Sequence, residues 1–147
     1  MVAPAVLALV AFLPSQARAA VSVAGGGFAQ DVPGKSGLAA IVSSGASIPA
    51  VPLEFQGSVF VPVSGGKGGG YALTAEIRGF TGGGYGGAYV GAGAGVGTLS
   101  REGSSGTVFT VFAGKSIAPM TSIELRVYKQ TQESGATAGF VGVRFTL

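Results

Sequence analysis

Residues 139–147 read Gly139-Phe140-Val141-Gly142-Val143-Arg144-Phe145-Thr146-Leu147. Alternate positions Gly139, Val141, Val143, Phe145 and Leu147 are small or apolar, whereas Gly142, Arg144 and Thr146 on the other parity are small or polar. A period of two predicts a strand with one apolar face. In a soluble sheet that face would be buried against a second layer. In a transmembrane barrel it would face lipid and Arg144 would point into the lumen.

Three upstream segments repeat the pattern. Leu53, Phe55, Val59, Val61 and Val63 share one parity, and Glu54, Gln56 and Ser58 the other. Tyr71, Leu73, Ala75 and Ile77 stand against Thr74, Glu76 and Arg78, and Ile123, Leu125 and Val127 against Ser122, Glu124, Arg126 and Tyr128. The charges Glu54, Glu76, Arg78, Glu124, Arg126 and Arg144 therefore all lie opposite an aliphatic face. Three are acids and three are bases. An unpaired buried charge costs several kcal/mol, whereas a mutually neutral, hydrogen-bonded set is tolerated. The lumen of a narrow eight-stranded barrel is filled by side chains, so the polar parity predicts an interior salt-bridge network and the aliphatic parity a lipid-facing exterior. An ordinary sheet with its charges in water would need a second layer over every aliphatic face, as in a sandwich.

Strands are expected at about 21–30, 37–44, 53–63, 71–80, 87–99, 107–115, 122–129 and 139–147, separated by clusters rich in Gly, Ser, Pro and charges. Eight is an even number, so both ends of an antiparallel barrel meet on one side, and strands of roughly 9–11 residues cross a bilayer when tilted. With the mature N-terminus in the periplasm, the connections Asp31–Ser36, Ser64–Gly70, Ser100–Gly106 and Gln130–Ala138 face outward. The opposite turns are Gly45–Pro52, Thr81–Gly86 and Ser116–Thr121. The fifth segment alternates Gly87, Tyr89, Gly91, Gly93, Gly95 and Gly97 with Ala and Val, and glycines facing the lumen would make room for long side chains from other strands. A phosphate-cradling loop is the other reading of such glycines, but no Lys-Ser or Lys-Thr pair follows them. In the sixth segment both parities are largely apolar, Phe109, Val111 and Ala113 against Val108, Phe112 and Gly114, so its lipid side is left unassigned. Phe28, Tyr71, Phe80 and Tyr85 fall near strand ends, where an aromatic girdle is expected.

The 147 residues fit one domain. They include 28 Gly and no Cys, His or Trp, and only 10% are charged, against roughly 25% in ordinary soluble domains. The absence of cysteine excludes a disulfide framework and thiolate metal sites. A formal charge of +3 is too small and scattered for nucleic-acid binding. Val2–Leu13 is a short apolar run followed by Ala17-Arg18-Ala19, so residues 1–19 are expected to be a secretory signal peptide and residues 20–147 the barrel domain. No second apolar run follows, which leaves strands as the means of lipid contact.

From Tyr85 to Leu147, the Tyr89–Gly93 strand, the alternating Glu124 and Arg126 and the terminal strand resemble the C-terminal half of the small outer-membrane β-barrel family that includes the OmpA membrane domain and OmpX. Gly142, Phe145 and Leu147 resemble that family's terminal assembly signal, with Leu where most members end on an aromatic residue. The resemblance implies an all-β, eight-stranded antiparallel up-and-down transmembrane barrel, inserted in the outer membrane by the barrel-assembly machinery. It also implies contact with outer-membrane lipid and lipopolysaccharide. A monomer without cofactor, metal or catalytic residues is expected, in a structural or surface-interaction role. The alternatives are a secreted or periplasmic soluble β-barrel or sandwich binding a small apolar ligand, which requires the inverse parity, and a lipid-modifying outer-membrane enzyme. The enzyme would need a carboxylate in place of the missing His as general base.

Overall fold

The computed structural model describes residues 18–30, 36–47, 52–63, 70–81, 87–99, 105–131 and 137–147. They form eight strands: β1 (Arg18–Gln30), β2 (Ser36–Ser47), β3 (Leu53–Pro62), β4 (Ala72–Thr81), β5 (Ala88–Gly97), β6 (Gly106–Ala118), β7 (Thr121–Gln130) and β8 (Thr137–Thr146). Each pairs antiparallel with its sequence neighbours, and β8 pairs with β1 to close the barrel. Closure leaves no strand edge unpaired, which is what allows a sheet to sit in hydrocarbon. The β8–β1 seam is held in register by Phe140 opposite Phe28 and Gly142 opposite Gly26. A Cβ on Gly142 would lie 2.5 Å from Gly25 O, so a larger residue there would force the seam apart.

Alternation along the strands sorts the side chains. Arg126 and Tyr128 are inside and buried, whereas Leu125 and Val127 are outside at 56% and 44% exposure. In β6, whose sides the sequence left open, Val108 and Phe112 face inward and Phe109 and Val111 outward. The register decides this, because Phe112 is opposite Arg126 and Val111 opposite Val127. A water-exposed surface would be penalised for a contiguous belt of such residues, and lipid is the solvent that suits it.

The strands differ from expectation at their ends. Gly45–Ser47 and Ser116–Ala118, expected within turns, extend β2 and β6. Gly45 belongs in the ladder because its Cα abuts the lumen, where a Cβ would meet Gln56 Cβ and Glu54 Oε1 at 2.9 Å. At the other site the register shifts between Ser116 and Ala118, a bulge that delivers the chain into a Pro119-Met120 turn. Met120 there has φ 57°, a left-handed conformation usually left to glycine. The expected aromatic girdle is corrected at two of its four positions. Phe28 is buried inside the barrel and Phe80 has the inward parity of Arg78, whereas the aromatic residues exposed on the outer face are Phe55, Phe109 and Phe145. Aromatic side chains favour strands on either face, so position near a strand end did not determine direction. Tyr85 and the expected signal peptide, apart from Arg18 and Ala19 in β1, lie outside the described residues.

Candidate functional site

The interior is built from inward parities of all eight strands and divides into two zones along the barrel axis. Toward the end that carries the Pro119-Met120 turn and Leu147, β3, β4, β7 and β8 contribute the six charges singled out from the sequence. Glu54, Glu76, Arg78, Glu124, Arg126 and Arg144 are all buried. Each has at least one partner of opposite sign. Arg78 Nη2 meets Glu54 Oε1 at 2.6 Å, Arg126 Nε meets Glu124 Oε1 at 2.9 Å, and Arg144 Nη1 meets Glu124 Oε2 at 3.0 Å. Arg126 Nη1 also binds Glu76 Oε1.

Neutral groups take up the remaining lone pairs. Glu76 accepts from Gln56 Nε2 at 2.5 Å, from Ser58 at 2.9 Å and from Thr74 at 2.7 Å. Glu124 accepts from the Tyr89 hydroxyl at 2.6 Å. Arg144 Nη2 donates to Gln56 Oε1 at 2.8 Å, which joins the Glu76 and Glu124 clusters through one amide. Gln56 thus orients its carbonyl to an arginine and its NH₂ to a carboxylate, the one arrangement that satisfies both. The guanidinium faces are covered too: Arg126 stacks over Phe112 at 4.1 Å, and Arg78 lies near Phe80 and Tyr89 at 4.7 and 4.8 Å. Such contacts suit arginine, whose planar cation is weakly hydrated.

The lumen glycines accommodate these groups. A Cβ on Gly91 would overlap the Phe112 ring, one on Gly114 the Tyr89 ring, and one on Gly93 the Glu76 side chain. Substituting any of them would push an aromatic or charged side chain out of its place.

Toward the opposite end the interior is apolar. Phe60 is at its centre, 4.8 Å from Tyr128 and in edge contact with Phe28 and Phe140 at 6.0 and 6.5 Å. Ile41, Val108 and Leu99 pack with them. Leu99 follows β5 and is pinned from two sides, its carbonyl accepting from Gln30 Nε2 at 2.6 Å and its N–H donating to Gln130 Oε1 at 2.7 Å. Sequence reasoning missed this apolar zone, and the signal was the parity itself. Phe60 lies six residues from Glu54, Tyr128 two from Arg126 and Phe140 four from Arg144, all even steps.

The assembly-signal residues do not come together at one place. Gly142 faces the lumen, Phe145 is half-exposed on the outer face, and Leu147 is exposed, its N–H donating to Val21 O at 2.8 Å. The arrangement offers paired carboxylates and guanidiniums, and among the described residues each glutamate side chain, Glu54, Glu76 and Glu124, is engaged. The chain has no histidine or cysteine to act as base or nucleophile.

No family model matches the chain, and no curated protein matches it in sequence. Solved structures do. Neisserial surface protein A is similar with a TM-score of 0.63 and 14% identity, over 89% of this chain and 99% of that one. The N-terminal β-barrel domain of Pseudomonas aeruginosa OprF gives 0.60 and 17%, over 90% and 100%. Ail, the attachment invasion locus protein of Yersinia pestis, gives 0.61 and 13%, over 88% and 99%. Strand number, closure, antiparallel order and near-complete mutual coverage agree: the chain has the fold of the small eight-stranded outer-membrane β-barrels.

Proposed function

We propose that the protein is a non-enzymatic barrel of the outer membrane, with a side-chain-filled lumen and a structural or surface-interaction role. The observation that carries this reading is the sorting of side chains, a balanced charge network inside and an aliphatic belt outside. A soluble barrel with an apolar ligand cup requires the reverse. An open pore would need a continuous polar path, and the buried apolar cluster that includes Phe28, Phe60, Leu99, Tyr128 and Phe140 argues against one. The engaged carboxylates and missing histidine argue against lipid-modifying chemistry. On this reading residues 1–19 are removed as a signal peptide, and the barrel-assembly machinery reads Gly142, Phe145 and Leu147. The monomer then lies among outer-membrane lipids with the connections that follow β1, β3, β5 and β7 facing outward.

Fractionation of expressing cells, followed by comparing boiled and unboiled samples on a mild-detergent gel, tests this. Outer-membrane location with a heat-dependent mobility shift is expected. A soluble protein without the shift would overturn the reading.

A further inference from the structure

Two groups of glycines stand out among the described strand residues. Those facing the lumen sit where a Cβ would collide, at Gly91, Gly93, Gly114 and Gly142. On the outer face the reverse holds: a Cβ on Gly139 would meet nothing within 4 Å, and one on Gly27 only Gly37 O at 3.8 Å. Internal packing therefore does not require these outer glycines. Between Val111, Val127, Leu125 and Val141 they leave an apolar groove of about 790 Å³ across β6, β7, β8 and β1, within the roughly 300–1,000 Å³ of ordinary ligand sites. One step along the same outer parity toward the loop end is Lys129, exposed and cross-strand from Thr137, whose Oγ1 its Nζ approaches at 3.5 Å. An ammonium and a hydroxyl thus sit at one end of a hydrocarbon-lined trough.

We propose that this groove seats an acyl chain of a phosphorylated outer-leaflet glycolipid of the lipopolysaccharide type, with Lys129 and Thr137 receiving its phosphate. The proposal rests on the outer-membrane reading above, which puts the loop end in the outer leaflet. The shape fits a chain better than a second barrel: a trough one glycine deep accepts a thin, flexible hydrocarbon, and a cation at its rim complements an anionic head and would repel its own copy in a two-fold dimer. A lysine can reach a phosphate at the interface while its stem lies on apolar surface.

The test is native mass spectrometry of the full-length barrel, folded in detergent, with bisphosphorylated lipid A or phosphatidylcholine added. The wild type is expected to retain one lipid A and to release phosphatidylcholine. Gly139→Leu fills the trough and Lys129→Gln removes the cation, and each is expected to lower lipid A retention by about tenfold, the scale of one charge-assisted or well-packed contact. Both variants should keep the heat-dependent gel shift. Equal lipid A retention by all three proteins, or equal retention of phosphatidylcholine, would overturn the site. So would a wild-type dimer that Gly139→Leu abolishes, since the groove would then be an interface between copies. Loss of the gel shift in the wild type would instead overturn the barrel reading beneath it.

Discussion

The two zones of the lumen share the same barrel wall but are held by different physics. Around Glu76 and Arg126 each charged group has a partner of opposite sign: two carboxylates on one guanidinium, and Gln56, Ser58 and Thr74 completing Glu76. Around Phe60 the rings of Phe28, Tyr128 and Phe140 fill space, and the hydrogen bonds lie at the margin, where Gln30 and Gln130 hold Leu99. The charged zone thus specifies direction and the aromatic zone specifies volume. A sheet closed on eight strands needs both, because charges alone would leave desolvated gaps and rings alone would not fix strand register.

Total loss of stability cannot separate the zones, but conservative replacement can. Arg126→Leu leaves the buried Glu76 without a cation and Glu124 with Arg144 alone, and should cost roughly 3–5 kcal/mol in a urea unfolding titration in liposomes. Arg126→Lys should recover little of that, because one ammonium cannot serve both carboxylates and cover Phe112. Phe60→Ala should cost about the same, roughly 3–5 kcal/mol. There Phe60→Leu should recover most of the loss, since volume is what the site requires. Equal rescue in both zones would break the distinction. The outer face gives a third contrast: Val127→Arg, one residue from Arg126, should cost roughly 2–4 kcal/mol through lipid contact and lower the insertion yield. Gln130→Ala leaves the buried Leu99 N–H without its acceptor and should cost roughly 1–3 kcal/mol. That change should be accompanied by faster proteolysis between β5 and β6, and unchanged cleavage there would mean Leu99 is not held by Gln130.

The charged zone was legible in the sequence because β3, β4, β7 and β8 place each charge between apolar or small residues, so parity needs no further information. The aromatic zone was hidden for the complementary reason. Val59, Phe60 and Val61 are all apolar, as are Phe140 and Val141, and such runs carry no visible alternation. Only the even spacing of Phe60 from Glu54 shows that the ring points inward. Strand β6 could not be assigned from its own residues at all; pairing with Arg126 and Val127 assigns it. The inward turn of Leu99 depends on Gln30 and Gln130, far away in sequence, and no local pattern announces it.

Alternate residues of one strand should meet lipid and the lumen. The absence of native cysteine makes single-cysteine spin labelling at Leu125, Val127 and Val141 in bilayers the most direct test. Labels at all three positions are expected to collide readily with oxygen and to be shielded from a water-soluble relaxation agent. Ready access of the water-soluble agent to these positions would contradict it, because the aliphatic parity would then not be the lipid face.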